Sequence, residues 1–345
     1  MKKDKVSFVI PTLNSSRTIE KTLSSIRKQK TRAVIEILIA DGGSTDTTLA
    51  ICKKYKCKIY RNNKVDLIYG KQVGYNKATG DYIIFIDSDE VLENVNSVEL
   101  KLKAIKTQKN TRAVITTGYK TPLNYSKINY YINSFGDPFT QFVYKESKDD
   151  KSLITSLRNK YRVINETKDC VIFDFANSSN SSVFELWAGG CMIDATYTKK
   201  HYPHLSKHPE YIALLFYLLI KDKQLVAITK NDPTLHYSTT SLATYVKKIV
   251  SRVKNNIFRS DMGKGGYVGR EVLTNSDVRL RKYLFILYGM SLIFPLVDGV
   301  RITISKRNYV YMIHPLLVYF TLITIVYYYI KYVFNIKTEL KTYGK

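Results

Sequence analysis

A chain of 345 residues with 45% hydrophobic side chains is long enough to bury one large core or two modest ones, which excludes a disordered polypeptide. The balance of 54 Lys and Arg against 29 Asp and Glu gives a formal charge of +25, which favours anionic partners such as acidic lipid headgroups and phosphorylated small molecules. The basic residues are scattered and form no dense arm, so nucleic acid is not an expected partner.

The opening stretch "MKKDKVSFVIPT" enters a strand pattern at once, and its apolar run is too short for a secretion signal, so the front of the chain is expected in the cytoplasm. Residues 6 to 90 then alternate β-rich runs ("VSFVIPT", "IEILIAD", "KIYRN", "DYIIFID") with helical patterns ("SSRTIEKTLSSIRKQ", "STDTTLAICKKY", "LIYGKQVGYNKA"). That alternation predicts an α/β fold, a parallel sheet with helices on both faces. In the first helix Ile19, Leu23 and Ile26 recur on one face, with Ser15 or Ser16 as the expected N-cap and Ser44 as the cap of the second. Ligands of such sheets sit beyond the carboxyl ends of the strands, where Thr12, Asp41 and Asp87 all fall.

Cys52, Cys57, Cys170 and Cys191 form no CxxC pair, which suits a reducing compartment without a zinc site. The Asn-x-Ser/Thr triplets at Asn165 and Asn177 are therefore read as chance. From 110 to 200 the pattern loosens, with strand candidates at "AVITTGY", "CVIFDFA" and "LWAGGCMI", and an aromatic stretch at 129 to 144 without a clean period. Residues 209 to 220 read as helix and 225 to 229 as strand. His201, His204 and His208 are spaced like ligands, but Pro203 and Pro209 interrupt any regular helix, so solvated side chains are expected.

The last hundred residues change character. A basic "RLRK" precedes "YLFILYGMSLIFPLVDGV", and a basic "RITISKRN" precedes "YVYMIHPLLVYFTLITIVYYYI" at 309 to 330. The second run is long enough to cross a hydrocarbon core and its tyrosines resemble an interfacial belt. The first is broken by Pro295 and Asp298 and has basic flanks on both sides, so it reads as a shallow segment. The expected organisation is a catalytic domain at 1–240 (nucleotide half 1–110, acceptor half 111–240), a helical basic linker at 241–282, a membrane-associated region at 283–336 and a tail at 337–345.

The acidic pair in "YIIFIDSDEV" follows a buried strand, where two carboxylates and substrate phosphates are able to hold Mg²⁺ or Mn²⁺. Together, "VSFVIPTLNSSRTIEKTLSSI", "IEILIADGGSTDTT" and "ATGDYIIFIDSDEVL", in this order, resemble the nucleotide-sugar domain of family 2 glycosyltransferases, which have the GT-A fold. The resemblance covers residues 5 to 95 well and 184 to 237 more loosely. It implies metal binding by Asp89, with Asp87 beside metal or ribose. It also implies a nucleotide-sugar site (UDP- or GDP-linked) lined by Pro11, Thr12, Asn14, Asp41, Gly42, Lys71, Asp87, Ser88, Gly189 and Gly190.

Family members commonly open a later helix with Glu-Asp, the aspartate acting as base. This chain has Glu210 followed by Tyr211, so Glu210 becomes the candidate catalytic base, with a helix-end charge as the alternative role. No QxxRW motif surrounds Trp187, the one tryptophan, which argues against a processive polysaccharide synthase. The expectation is an inverting, metal-dependent hexosyltransferase at the cytoplasmic face of the cell membrane, moving sugar to a lipid-linked or glycan acceptor. The alternatives are a polyprenyl-phosphate sugar synthase and an inactive membrane-anchored binding protein of the same fold.

Overall fold

The computed structural model describes residues 3–176, 184–258 and 276–340. The Asn177 triplet, the middle of the expected linker (259–275) and the end of the tail (341–345) lie outside them. The strands are β1 (Lys5–Thr12), β2 (Val34–Asp41), β3 (Lys58–Arg61), β4 (Tyr82–Phe85), β5 (Glu90–Leu92), β6 (Thr111–Ile115), β7 (Tyr119–Lys120), β8 (Arg162–Glu166), β9 (Cys170–Asp174), β10 (Cys191–Asp194), β11 (Leu225–Thr229) and β12 (Thr234–His236). The helices of the first two hundred residues are α1 (Ile19–Arg27), α2 (Thr48–Lys54), α3 (Leu67–Lys77), α4 (Ser97–Thr107), α5 (Ile128–Phe135), α6 (Pro138–Tyr144), α7 (Leu153–Arg158) and α8 (Ala195–His201). They are followed by α9 (Glu210–Ala213), α10 (Leu215–Lys221), α11 (Leu242–Phe258), α12 (Ser276–Met290), α13 (Ile293–Lys306) and α14 (His314–Val333).

Chain contacts divide the molecule into two compact units, Met1–Pro122 with Asp149–Tyr237, and Leu123–Lys148 with Ser238–Lys345. Residues 123–148, read from sequence as part of the acceptor half, thus group with the C-terminal helices. The first unit is the expected α/β fold. Its nine-stranded sheet runs β3-β2-β1-β4-β10-β6-β11-β9-β8, and β5-β12-β7 form a small second sheet. β3, β2, β1 and β4 are mutually parallel, as short strands joined through α1, α2 and α3 must be. β10 enters antiparallel between β4 and β6. Apolar side chains line both faces: Phe8, Ile10, Ile39 and Ile84 on one, Val9, Leu38, Phe85 and Ile193 on the other. A sheet covered on both sides needs such continuous runs rather than alternation.

Helix starts differ in detail from the sequence expectation. α1 begins at Ile19 with no side-chain cap, its first N–H groups meeting the Ser15 carbonyl oxygen instead. Ser44 does not cap α2, because its hydroxyl is turned to Asp41, 2.5 Å away; Asp46 accepts the Thr48 N–H in its place. Where one helix was expected at 209 to 220, the chain forms α9 and α10, broken at Leu214.

In the second unit, the aromatic stretch at 129 to 144 becomes α5 and α6, and the residues around Tyr131, Phe135, Tyr245, Tyr311 and Leu317 form a separate core. Asp298, which interrupts the apolar run, accepts the Tyr288 hydroxyl at 2.9 Å. Tyr288 and Tyr131 bracket the buried His314 at 2.9 and 2.6 Å from its two ring nitrogens. Because Tyr288 gives its proton to Asp298, its oxygen accepts from His314 Nε2–H, which leaves Nδ1 to accept from Tyr131. That directional chain satisfies a carboxylate within an otherwise apolar set of helices. The segment Tyr309–Val333 spans 25 residues and contains an 18-residue stretch of mean hydropathy 1.8, long and apolar enough to cross a membrane, whereas Asp277–Met290 and Ile293–Lys306 meet at a bend of 98°.

Candidate functional site

The parallel register places Thr12 opposite Asp41 and Val9 opposite Phe85, so β1, β2 and β4 deliver their carboxyl ends to one rim. Thr12 Oγ1 donates to Asp41 Oδ1 at 2.8 Å, and Pro11 lies just inside, paired with Ala40. Asp41 Oδ2 accepts the N–H groups of Gly43 and Ser44 at 2.9 and 2.8 Å, while the Ser44 hydroxyl joins Thr12 on Oδ1. Four donors fill the acceptor capacity of one carboxylate, so Asp41 shapes the turn that follows β2. Gly42 N–H returns to the Thr12 carbonyl oxygen at 2.8 Å. Asn14, at φ 47°, reaches across this turn, its Oδ1 accepting Thr45 N–H at 2.8 Å. Left-handed backbone is tolerated by asparagine more than by most residues. Asp46 accepts from Thr48 and Ser16; burial would raise its carboxyl, but these bonds outweigh it and hold it well below the usual range.

Lys71 is fully buried on α3. Its ammonium lies 2.5 Å from Asp87 Oδ1 and donates to the Ile86 carbonyl oxygen at 3.1 Å. The lysine expected to line the nucleotide-sugar site thus grips the first aspartate of the acidic pair. Burial pushes the Asp87 carboxyl up, Lys71 pulls it down and Asp89 raises it again, with a net upward result. Ser88 turns toward α1, donating to Ser15 Oγ at 2.9 Å while its carbonyl oxygen accepts from Thr22. Asp89 faces His236, Oδ2 to Nε2, at 3.8 Å.

Two site residues went unrecognised in the sequence. His236 arrives because β12 pairs antiparallel with β5, setting His236 opposite Glu90, and no local pattern announces a pairing across so much chain. Glu90 did carry a signal: it shares the inward face of β5 with Leu92 and directly follows the acidic pair. Burial and the neighbouring Asp87 push its carboxyl up to about 8. Gly189 and Gly190 sit at φ 72° and 71°, a region that favours glycine, and the Gly190 N–H donates to the Phe85 carbonyl oxygen at 3.0 Å.

Glu210 opens α9. It lies 3.4 Å from His208 Nδ1, in a segment docked on α3 through Gln72 to the Leu205 carbonyl oxygen and Asn76 to that of Ser206. Tyr211 makes an edge contact with His204 at 4.5 Å and packs against the core, so its side chain serves packing where the sequence resemblance implies an acid. His201 and His208 are exposed.

Among the described residues no three His, Cys, Asp or Glu side chains are gathered to hold an ion by themselves. Asp87 and Asp89 offer the hard oxygen donors that Mg²⁺ or Mn²⁺ prefers, and His236 stands beside them. Such ions usually complete their shell with substrate phosphate and water, so an incomplete protein set fits the group.

Residues 7–163 match glycosyl transferase family 2. That stretch is just under half of the chain, and over it the chain is similar to this family. It is 30% identical over 146 residues to the glycosyltransferase GlyA of Streptococcus pneumoniae, a match covering 41% of this chain and 20% of that one. With GlyG of the same organism it shares 29% over 142 residues, 39% of this chain and 45% of the relative. With TarS of Staphylococcus aureus, a poly(ribitol-phosphate) beta-N-acetylglucosaminyltransferase, it shares 35% over 97 residues, 26% and 17% of the two chains. The match therefore spans under half the length of each of these relatives. Among solved structures, S. aureus TarS 1–349 in complex with UDP is 15% identical, with 99% and 95% of the two chains covered and a TM-score of 0.46.

Proposed function

We propose that this chain is an inverting family 2 glycosyltransferase that moves one sugar from a UDP- or GDP-linked donor to a lipid-linked or glycan acceptor at a membrane face. The observation that carries the reading is the convergence of Asp41, Asp87 and Asp89 on one rim, with a fully buried lysine clamped to the acidic pair. Asp89, with Asp87 and His236 beside it, would hold a divalent cation, which when bound would supply positive charge against a departing nucleoside diphosphate. Lys71 holds Asp87 in place, a preorganised contact that needs no rearrangement as charge develops. Asp41, occupied by its own turn, shapes the β2 exit where the nucleoside lies, and the Gly189–Gly190 backbone allows the sugar to approach closely.

Glu210 is the candidate that takes the proton from an acceptor hydroxyl; an acceptor already ionised as phosphate needs no base, and the +25 charge favours phosphate-bearing acceptors of either kind. Membrane attachment is supported by the second unit, where Ile293 and Phe294 at the 98° bend are 68% and 62% exposed and basic residues stand on both sides.

The test is release of nucleoside diphosphate from a panel of sugar nucleotides by the purified chain with Mn²⁺ or Mg²⁺, with and without anionic lipid. Release that depends on the cation and transfers sugar to an added lipid-linked or glycan acceptor is expected. Undiminished turnover in excess chelator overturns the metal role. A protein that binds nucleotide yet turns over no donor is the inactive binding protein, and transfer to polyprenyl phosphate alone identifies the polyprenyl-phosphate sugar synthase.

A further inference from the structure

Glu90 is 1% exposed and takes no part in the chemistry above. We propose that Glu90 is a positioning residue of the transfer site: its side chain sets where the Gly189–Gly190 backbone stands relative to the Asp87–Asp89 loop, and so where the donor sugar lies relative to its leaving group. The inference rests on the glycosyl-transfer reading.

One oxygen, Oε2, accepts the N–H groups of both Asp87 and Gly189, each at 2.8 Å. A single atom thereby ties together two segments that are distant in the chain. The other oxygen accepts the Tyr119 hydroxyl at 2.9 Å, and the Tyr119 ring packs on His236 with centroids 4.8 Å apart. Tyr119 in turn limits Gly189, where an added Cβ would stand 3.0 Å from its hydroxyl oxygen. The carbonyl oxygen of Gly189 is held from the far side by Thr234 and Thr116 at 2.8 and 3.2 Å. The glycine backbone is therefore fixed at its N–H by Glu90 and at its oxygen by two threonines, and it moves if either hold is lost.

An apolar side chain would fill this volume at lower cost, since a buried carboxyl is tolerated only when its hydrogen bonds are made. Here those three bonds go to the acidic loop, the glycine pair and the tyrosine that packs on His236, all of them parts of the site. Displacements of about 1 Å in a reacting geometry cost on the order of 100-fold in rate, so a loosened glycine loop is expected to act on kcat rather than on nucleotide affinity.

The test uses the full chain with the sugar nucleotide that supports turnover, measuring kcat, donor KM and nucleoside diphosphate affinity for Glu90→Gln and Glu90→Leu. Gln keeps an oxygen for the two N–H groups and is expected to stay within about fivefold of wild-type kcat, whereas Leu, with no acceptor, loses about 100-fold in kcat with affinity changed less than threefold. Glu90→Leu with unchanged kcat, loss of kcat and affinity in parallel, or a Gln variant as impaired as Leu overturns the proposal. Where the Leu variant does not fold, Gly189→Ala, which presses on Tyr119, gives the same kcat-against-affinity comparison. Wild-type protein that turns over no donor overturns the transfer reading and this inference together; an active wild type with an intact Leu variant overturns this inference alone.

Discussion

Asp89 and Glu90 are consecutive acids in opposite surroundings. Asp89 keeps a quarter of its side chain exposed beside His236, whereas Glu90 is enclosed and bonded on both oxygens. Environment separates their roles as it separates paired carboxyls in many active sites. Asp89→Asn preserves shape and removes charge, so kcat/KM is expected to fall by about 10²–10³, with little change in melting temperature, in a steady-state assay of nucleoside diphosphate release.

Glu36 provides a different residue-scale case. Burial would raise its carboxyl, but bonds from Ser7 and Thr79 and the Lys58 ammonium at 2.9 Å outweigh that and lower it to about 2. A carboxyl depressed in the folded state gives stability that is present above its ordinary value of 4.5 and is lost as pH falls toward about 2. Urea unfolding between pH 2 and 7 is expected to show this acid loss, and Glu36→Gln to flatten it and to cost on the order of 2 kcal/mol at pH 7. The Asp-x-Asp pair was legible in sequence because a buried strand ran directly into it. The Lys71–Asp87 pair was not, since only helix packing decides which way a lysine on α3 turns.

At the level of elements, α3 approaches β1 so closely that a Cβ on Gly74 would stand 2.2 Å from Val9 Cγ1. Gly74→Ala must push the helix off the sheet, and with it Lys71 three residues earlier. A loss of about 2 kcal/mol or more is expected in denaturant titration, together with reduced turnover. The α4 helix is held differently, by a fully buried pair between Lys101 and Asp232, 2.7 Å apart, with Thr229 donating to the same oxygen at 2.9 Å. Lys101→Met leaves that carboxylate without its cation and is expected to cost about 3–5 kcal/mol, and adding Asp232→Asn to recover part of the loss. Strands were read well from sequence: the expected 225 to 229 is β11 to the residue. Helix starts were read less well, because serine hydroxyls expected as caps were recruited by Asp41 and by the β4 exit.

Across the whole molecule, the two units differ in what they leave uncovered. The first buries its apolar runs between sheet and helices; the second exposes many large apolar side chains along α12, α13 and α14. The 345-residue chain is expected to float with anionic vesicles, less with neutral ones and less at high salt, and Ile293→Glu with Phe294→Glu to weaken that binding at least tenfold in a flotation assay. Binding unaffected by both substitutions would place the contact elsewhere.

The sequence by itself determined the alternation of strand and helix, the carboxyl-end positions of Thr12, Asp41 and Asp87, and the apolar C-terminal runs, because each is written in a local period or a neighbouring pair. Only the tertiary structure decided that residues 123–148 group with the C-terminal helices, that His236 faces Asp89, and that Glu90 joins the acidic loop to Gly189. Those depend on strand pairing and burial between segments far apart in the chain, where the competition among partners is settled by packing rather than by local pattern.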